Sequence, residues 1–285
     1  MPAPTFRVFD AHVNIGRGEL DADPIKSNIT ARQILDLMKE SGVEKSLIFP
    51  VSRIGGYAEG NMEVGNLVKQ HPNCFLGFGR IRSNPRRRSR HSSRVLLSNQ
   101  TSVEKLSNKF SILRRKPSSQ VDEECQEELR KCFEEYGLRG IKVHPAEDGY
   151  PSAAVLRTLR AYNKPLLLHC GRGISLTRIE EEIIKPSAMP VILAHMGGFP
   201  ADRKLYSKAL GLAKQYSNVY LNTSFVFYQY VLDLAMTTCP SKVVFGSDAP
   251  GIHPLTALSA ILPLRVPDKT KEMVLWNNIV RLVEN

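Results

Sequence analysis

Seven histidines are scattered over this chain, yet four of them, His12, His144, His169 and His195, stand at the ends of short apolar runs: FDAHVN, GIKVHP, LLLHCG and VILAHMGG. Asp248 closes a further run of the same kind, VVFGSDAP. Imidazoles and a carboxylate gathered from separate runs could bind a divalent transition metal, which takes nitrogen and oxygen donors at about 2.0–2.2 Å and keeps one position for water in catalytic sites. They could equally act as general acid and base. Each residue alone has an ordinary reading, a satisfied core histidine or, for Asp248 before Ala-Pro, a turn. The case rests on their recurrence. In the first run Asp10, His12 and Asn14 alternate with Ala11 and Val13, so a regular strand would send all three to one face.

The elements that must position these groups follow from the runs themselves. Eight of them, FRVFDAH, KSLIFP, CFLGFGR, LRGIKVH, PLLLHC, PVILAH, NVYLNTS and KVVFGSD, are almost continuously apolar, which suits parallel strands covered on both faces. Segments of helical period lie between most of them. TARQILDLMKESG sets Ala31, Ile34, Leu35 and Met38 on one face, with Thr30 as N-cap and Gly42 past the end. DEECQEELRKCFEEYG does the same with Cys125, Leu129, Cys132, Phe133 and Tyr136. Eight βα units predict a single-domain (β/α)8 TIM barrel over residues 1–285, in which catalytic groups come from the C-terminal ends of strands. A doubly wound open sheet competes, but no glycine-rich phosphate fingerprint follows the first strand.

One interval is out of proportion: the third run begins near residue 74 and the fourth near 138. The excess is a stretch over 84–119, a basic and flexible insertion between strand three and the following helix. Arg86 to Lys116 carries ten basic residues against Glu104 alone, so most of the +11 net charge belongs to this segment and not to the barrel. Its lone aromatic is Phe110, so stacking platforms for single-stranded nucleic acid are missing and nucleic-acid binding is not expected. No run is long enough to span a bilayer, and the start lacks a basic region followed by a long apolar one, so a cytoplasmic protein is expected. Five cysteines with no CxxC spacing read as reduced, structural thiols.

Taken in order, FDAHVN, GIKVHP, LLLHCG, VILAHMGG, VVFGSDAP and LWNNIVRL resemble the amidohydrolase-related (amidohydrolase 2) metal-dependent hydrolases, a family that includes aminocarboxymuconate-semialdehyde decarboxylase-like enzymes. The resemblance covers nearly the whole chain apart from the insertion. It implies a distorted (β/α)8 barrel and one divalent metal ion, zinc first and manganese second. It also implies His12, His169 and Asp248 as metal ligands, and His195 as a catalytic neighbour. Asn14 departs from the family's usual HxH, which predicts weakened metal affinity, because an amide oxygen coordinates zinc poorly beside imidazole.

The leading expectation is hydrolysis of a C–N, ester or lactone bond in a small carboxylate-bearing substrate through a metal-activated water. Asp248 would move the proton and His195 would polarise the carbonyl. Asn14, Lys142, His144 and Arg172 are the candidate substrate contacts, with Arg53 and Arg80 as further arginines that could meet a carboxylate. Non-oxidative decarboxylation uses the same residues and is the alternative. A catalytically impaired barrel acting as a binding module is the third reading, favoured by Asn14. A small molecule is the expected partner, no membrane is, and a homodimer is left open.

Overall fold

The apolar runs become strands, and the strands make a ring. The structure, a computed structural model, describes residues 6–18, 28–52, 56–83 and 118–284. Its strands are β1 (Phe9–Arg17), β2 (Asn28–Ile29), β3 (Lys45–Pro50), β4 (Phe75–Arg80), β5 (Gly140–Val143), β6 (Leu166–Leu168), β7 (Val191–Leu193), β8 (Val219–Asn222) and β9 (Val243–Val244). They form one sheet in the order β2-β1-β3-β4-β5-β6-β7-β8-β9. All neighbours pair in parallel except β2, a two-residue strand antiparallel to β1. A pair of residues carries no hydrophobic period, which is why this ninth strand is absent from the sequence reading.

The sheet closes on itself. Ala11 N–H donates to the Phe245 carbonyl at 3.0 Å, Asp248 N–H to the His12 carbonyl at 3.0 Å and Asn14 N–H to the Ala249 carbonyl at 2.8 Å. These bonds tie β1 to the chain just beyond β9 and complete the expected (β/α)8 barrel.

Helices pack outside the ring: α1 (Ala31–Ser41), α2 (Ala58–Gln70), α3 (Ser118–Arg130), α4 (Ala153–Tyr162), α5 (Leu176–Ile179), α6 (Arg203–Gln215), α7 (Gln229–Thr238), α8 (Pro254–Ile261), α9 (Asp268–Glu272) and α10 (Asn278–Val283). The expected caps of α1 are present. Thr30 and Gln33 form a reciprocal capping box, and Gly42 ends the helix at φ 71°. One core cluster lies between strands and helices and includes Val13, Leu129, Val155 and Ile179. A second fills the ring with Phe9, Ala11, Phe49, Phe78, Leu167 and Val244, and the closing helix α10 lays Ile279, Leu282 and Val283 against it. Asn278 donates to the carbonyls of Pro240 and Val243, anchoring that helix to the barrel.

The membership of these clusters corrects one expectation. Phe9 and Ala11 belong to the interior set, whereas Val13 belongs to the helix-facing set, so the alternation changes phase between them. The pairing of β1 with β3 shifts register between Asp10 and Val13. Such an irregularity re-aims side chains. His12 and Asn14 reach the cavity, while Asp10 serves the closing seam: it accepts from Ser247 N–H at 2.9 Å, Ser247 Oγ–H at 2.5 Å and His12 N–H at 3.1 Å.

The basic stretch 84–119 lies outside the described residues, apart from Ser118 and Ser119, which begin α3. Arg53 lies outside them too. Among the described residues no helix is long and apolar enough to cross a membrane. All five cysteines are free thiols, four of them buried.

Candidate active site

The mouth of the barrel holds a cavity of about 410 Å³ whose lining includes His12, Asn14, Arg80, Lys142, His144, His169, His195 and Asp248. Period-two alternation explains the pairs on one strand: Lys142 and His144 lie two residues apart at the end of β5. His169 follows β6 directly, and His195 and Asp248 lie just beyond β7 and β9. The turns that present the last two are tight. His195 has φ 56° and Asp248 φ 76°, left-handed values that are unfavourable for residues with a side chain and that concentrate at functional sites.

His12 Nε2 lies 3.2 Å from Asp248 Oδ1 and 3.4 Å from Lys142 Nζ. Its Nδ1 donates to Asn222 Oδ1 at 3.2 Å, an oxygen fixed as acceptor by Ser224 N–H, and lies 3.1 Å from Ser224 Oγ. This assigns the tautomer: Nδ1 carries the proton and Nε2 presents its lone pair. Gly246 permits the close approach, since a Cβ there would come within 2.8 Å of His12 Cβ and collide with Asn222. Asn14 Nδ2 donates to Asp248 Oδ1 at 3.2 Å and to the Ala249 carbonyl at 3.3 Å.

A second relay runs through His195. Its Nδ1 donates to the Ser224 carbonyl at 3.0 Å, so its Nε2 accepts from His169 Nδ1 at 3.0 Å. Both nitrogens of His195 are thereby engaged and the ring is 2% exposed. His195 positions His169 through this bond and also lines the cavity. His169 stacks on His144 with centroids 3.8 Å apart. His144 Nδ1 is buried without a hydrogen-bond partner among the described residues.

Electrostatics follow from burial among mostly basic neighbours. Burial, reinforced by His12, holds His195 down at about 3; burial with the Arg80 and Lys142 charges, partly offset by Glu147, holds His144 at about 4. His12 and His169 are lowered for the same primary reason. Burial lowers Lys142 to about 7 despite the opposing pull of Asp248. For Asp248 burial acts upward, but His12, His195 and Lys142 outweigh it and hold the carboxyl below the usual carboxylate range.

One wall of the cavity was not legible as a unit. Arg80, 3% exposed, donates from Nε to Asp148 at 2.9 Å and from Nη2 to Glu147 at 2.6 Å. Tyr57 donates to the other Asp148 oxygen at 2.6 Å, and His144 N–H also donates to Asp148. Arg80 is therefore a buried structural cation. The acidic pair in HPAED, two residues after His144-Pro145, was the available signal for its partners. Arg172 is exposed and lies outside the lining of the cavity, so the structure does not bring it to the other candidates.

The donor set gives a clear test of metal binding. His12 and Asp248 converge, but among the described residues no three His, Cys, Asp or Glu side chains are placed to hold a metal ion together. Of the expected trio, His12 and Asp248 meet, His169 donates from Nδ1 to His195 and so keeps the lone pair of Nε2, and an amide and an amine stand beside the other two.

No curated protein sequence matches the chain. Among solved structures, similarity extends over the full barrel. A 2,6-dihydroxybenzoate decarboxylase from Rhizobium is 14% identical with TM-score 0.65, covering 98% of this chain and 99% of that one. A probable 2-pyrone-4,6-dicarboxylic acid hydrolase from Acinetobacter baumannii with citric acid bound is 15% identical with TM-score 0.65, covering 98% and 100%. A dihydroxybenzoic acid decarboxylase from Polaromonas with bound manganese is 16% identical with TM-score 0.61, covering 98% and 97%. The sequence profile of the amidohydrolase family matches residues 114–284, from the segment before α3 to the end of α10. With the barrel, its mouth and that match in agreement, the chain belongs to the amidohydrolase family of enzymes.

Proposed function

We propose that this enzyme hydrolyses an ester or lactone bond, or a C–N bond, in a small carboxylate-bearing substrate, with Asp248 as general base. The observation that carries the reading is the placement of Asp248: its carboxylate lines the cavity at the barrel mouth with Oδ1 3.2 Å from His12 Nε2, where it can take a proton from water. Asp248 takes a proton from water, the water oxygen bonds to the carbonyl carbon, and the proton passes to the leaving group as its bond to that carbon breaks. The cavity of about 410 Å³ suits a small ligand.

The metal of the sequence expectation enters here only as far as its residues allow. The manganese-bound relative supports a divalent ion as one route in this fold. Among the described residues no three His, Cys, Asp or Glu side chains are grouped to hold an ion together, so the steps above are assigned to side chains.

Non-oxidative decarboxylation draws support from the decarboxylases among the structural relatives. It needs a proton donor at carbon, a role Asp248 could fill only in its protonated form. Incubating the enzyme in ¹⁸O-water with lactones and esters of di- and tricarboxylic acids, and in parallel with hydroxybenzoates, tests the proposal. Incorporation of ¹⁸O into a ring-opened acid is the expected result; release of carbon dioxide without ¹⁸O in the organic product would replace hydrolysis by decarboxylation.

A further inference from the structure

The unfinished metal set has a positive counterpart. His12 Nδ1 is committed to Asn222 and Ser224, which leaves Nε2 as the lone pair a metal would use, and Lys142 Nζ stands 3.4 Å in front of it. Asp248 Oδ1, the other donor, accepts from Asn14 Nδ2, so an amide N–H sits where a second imidazole would have to contribute a lone pair. The Lys142 amine thus fills the space in front of His12 Nε2 that a metal ion would have to occupy. The lysine is part of a built site. It is 3% exposed, lines the cavity, and lies 5.1 Å from the centroid of the Phe49 ring, whose face favours a cation.

We propose that this site works without a resident transition metal, and that the Lys142 amine is the N–H donor that meets a negatively charged oxygen of the substrate. An ammonium group can grip a carboxylate or stabilise an oxyanion, but it does not make hydroxide from water as a metal does. The base must then be a side chain, and Asp248 stands on the other side of His12 Nε2. That the bound anion is a carboxylate rests on the functional reading above; the exclusion of metal does not.

The experiment uses the purified full chain. After treatment with chelator, incubation with excess zinc or manganese and desalting, mass spectrometry should count far less than one ion per chain. A chain that retains close to one ion, and loses it in Asp248→Ala with an unchanged circular dichroism spectrum, would overturn the proposal. The double variant Asn14→His with Lys142→Met should gain zinc; failure to gain it would show that these two residues are not what excludes the ion. For the anion, citrate is the probe. Thermal stabilisation of the wild type by citrate should require at least about tenfold more ligand in Lys142→Met, as expected for loss of a charged hydrogen bond. No citrate effect on the wild type, or an equal effect on both proteins, would remove Lys142 from anion binding. Because ion counting needs no turnover, a protein inactive on every substrate offered would sink the functional reading while the metal count still decided this one.

Discussion

His12 Nε2 and Asp248 Oδ1 lie 3.2 Å apart, although one comes from the first strand of the ring and the other from the turn after the last. The seam bonds that close the barrel flank this pair directly, since Asp248 N–H donates to the carbonyl of His12 itself. Closure of the fold and assembly of the reacting groups are one event.

Asp248→Asn keeps the volume of the side chain and removes the base. Turnover should fall by about 10²–10⁴-fold, the usual share of a general base, with an unchanged far-ultraviolet spectrum. Full activity in this variant would take Asp248 out of the mechanism.

Ser224 binds both histidine relays, with Oγ 3.1 Å from His12 Nδ1 and 3.0 Å from His195 Nδ1. It is a positioning residue. Ser224→Ala should lower kcat by about 10–100-fold, as for losses of groups that orient functional imidazoles, and Ser224→Thr should restore much of it. A matched change in KM with constant kcat would instead point to substrate binding.

Glu147 predicts an acid-sensitive stability. Although burial acts upward, His144 and Arg80 hold its carboxyl at about 2, below the ordinary 4.5. A depressed carboxylate contributes stability that is complete above its unfolded value and is lost as pH falls through the folded one, here from about 4.5 toward 2. His144, held at about 4 against an ordinary 6.5, adds a loss in the same direction between those values. Melting temperatures of wild type and Glu147→Gln should therefore converge as pH is lowered from 5 to 2. A constant gap across that window would show that Glu147 does not titrate with folding.

Two glycines separate steric need from mere presence. A Cβ at Gly140 would lie 2.5 Å from the Phe78 ring and 2.5 Å from the Pro165 carbonyl, inside the barrel, so Gly140→Ala should destabilise by about 1–3 kcal/mol. Gly211, exposed within α6, has nothing within 4 Å of a Cβ. Gly211→Ala should stabilise by about 0.4–1 kcal/mol. Urea unfolding of the two variants checks both signs.

The parts that were legible in the sequence are those written in local patterns. Apolar runs gave the strands of the ring, and a polar group at the end of a run marked His12, Lys142, His144, His169, His195 and Asp248 as cavity residues. Capping chemistry placed the ends of α1. What escaped depends on geometry that no short window contains. The phase change in β1 moves Asp10 from the cavity face to the seam, yet strict alternation is what the letters display. Arg172 is a near neighbour of His169 in sequence, yet its side chain is exposed and outside the lining of the cavity. The reverse holds for Arg80 and Asp148, which are 68 residues apart and meet through pairing of β4 with β5. The links of His195 to Ser224 and His169 likewise lie in no short window.

The seam has a consequence for biosynthesis. Asn14 and Asp248, which meet there, are separated by 234 residues, and at about 5–20 residues per second a ribosome needs roughly 12–47 s to travel between them. Throughout that interval the emerging polypeptide carries a first strand paired to β3 with its other edge lacking the partner that closes the ring, and chaperones that shield exposed strand edges would find their substrate there until the last turn is translated.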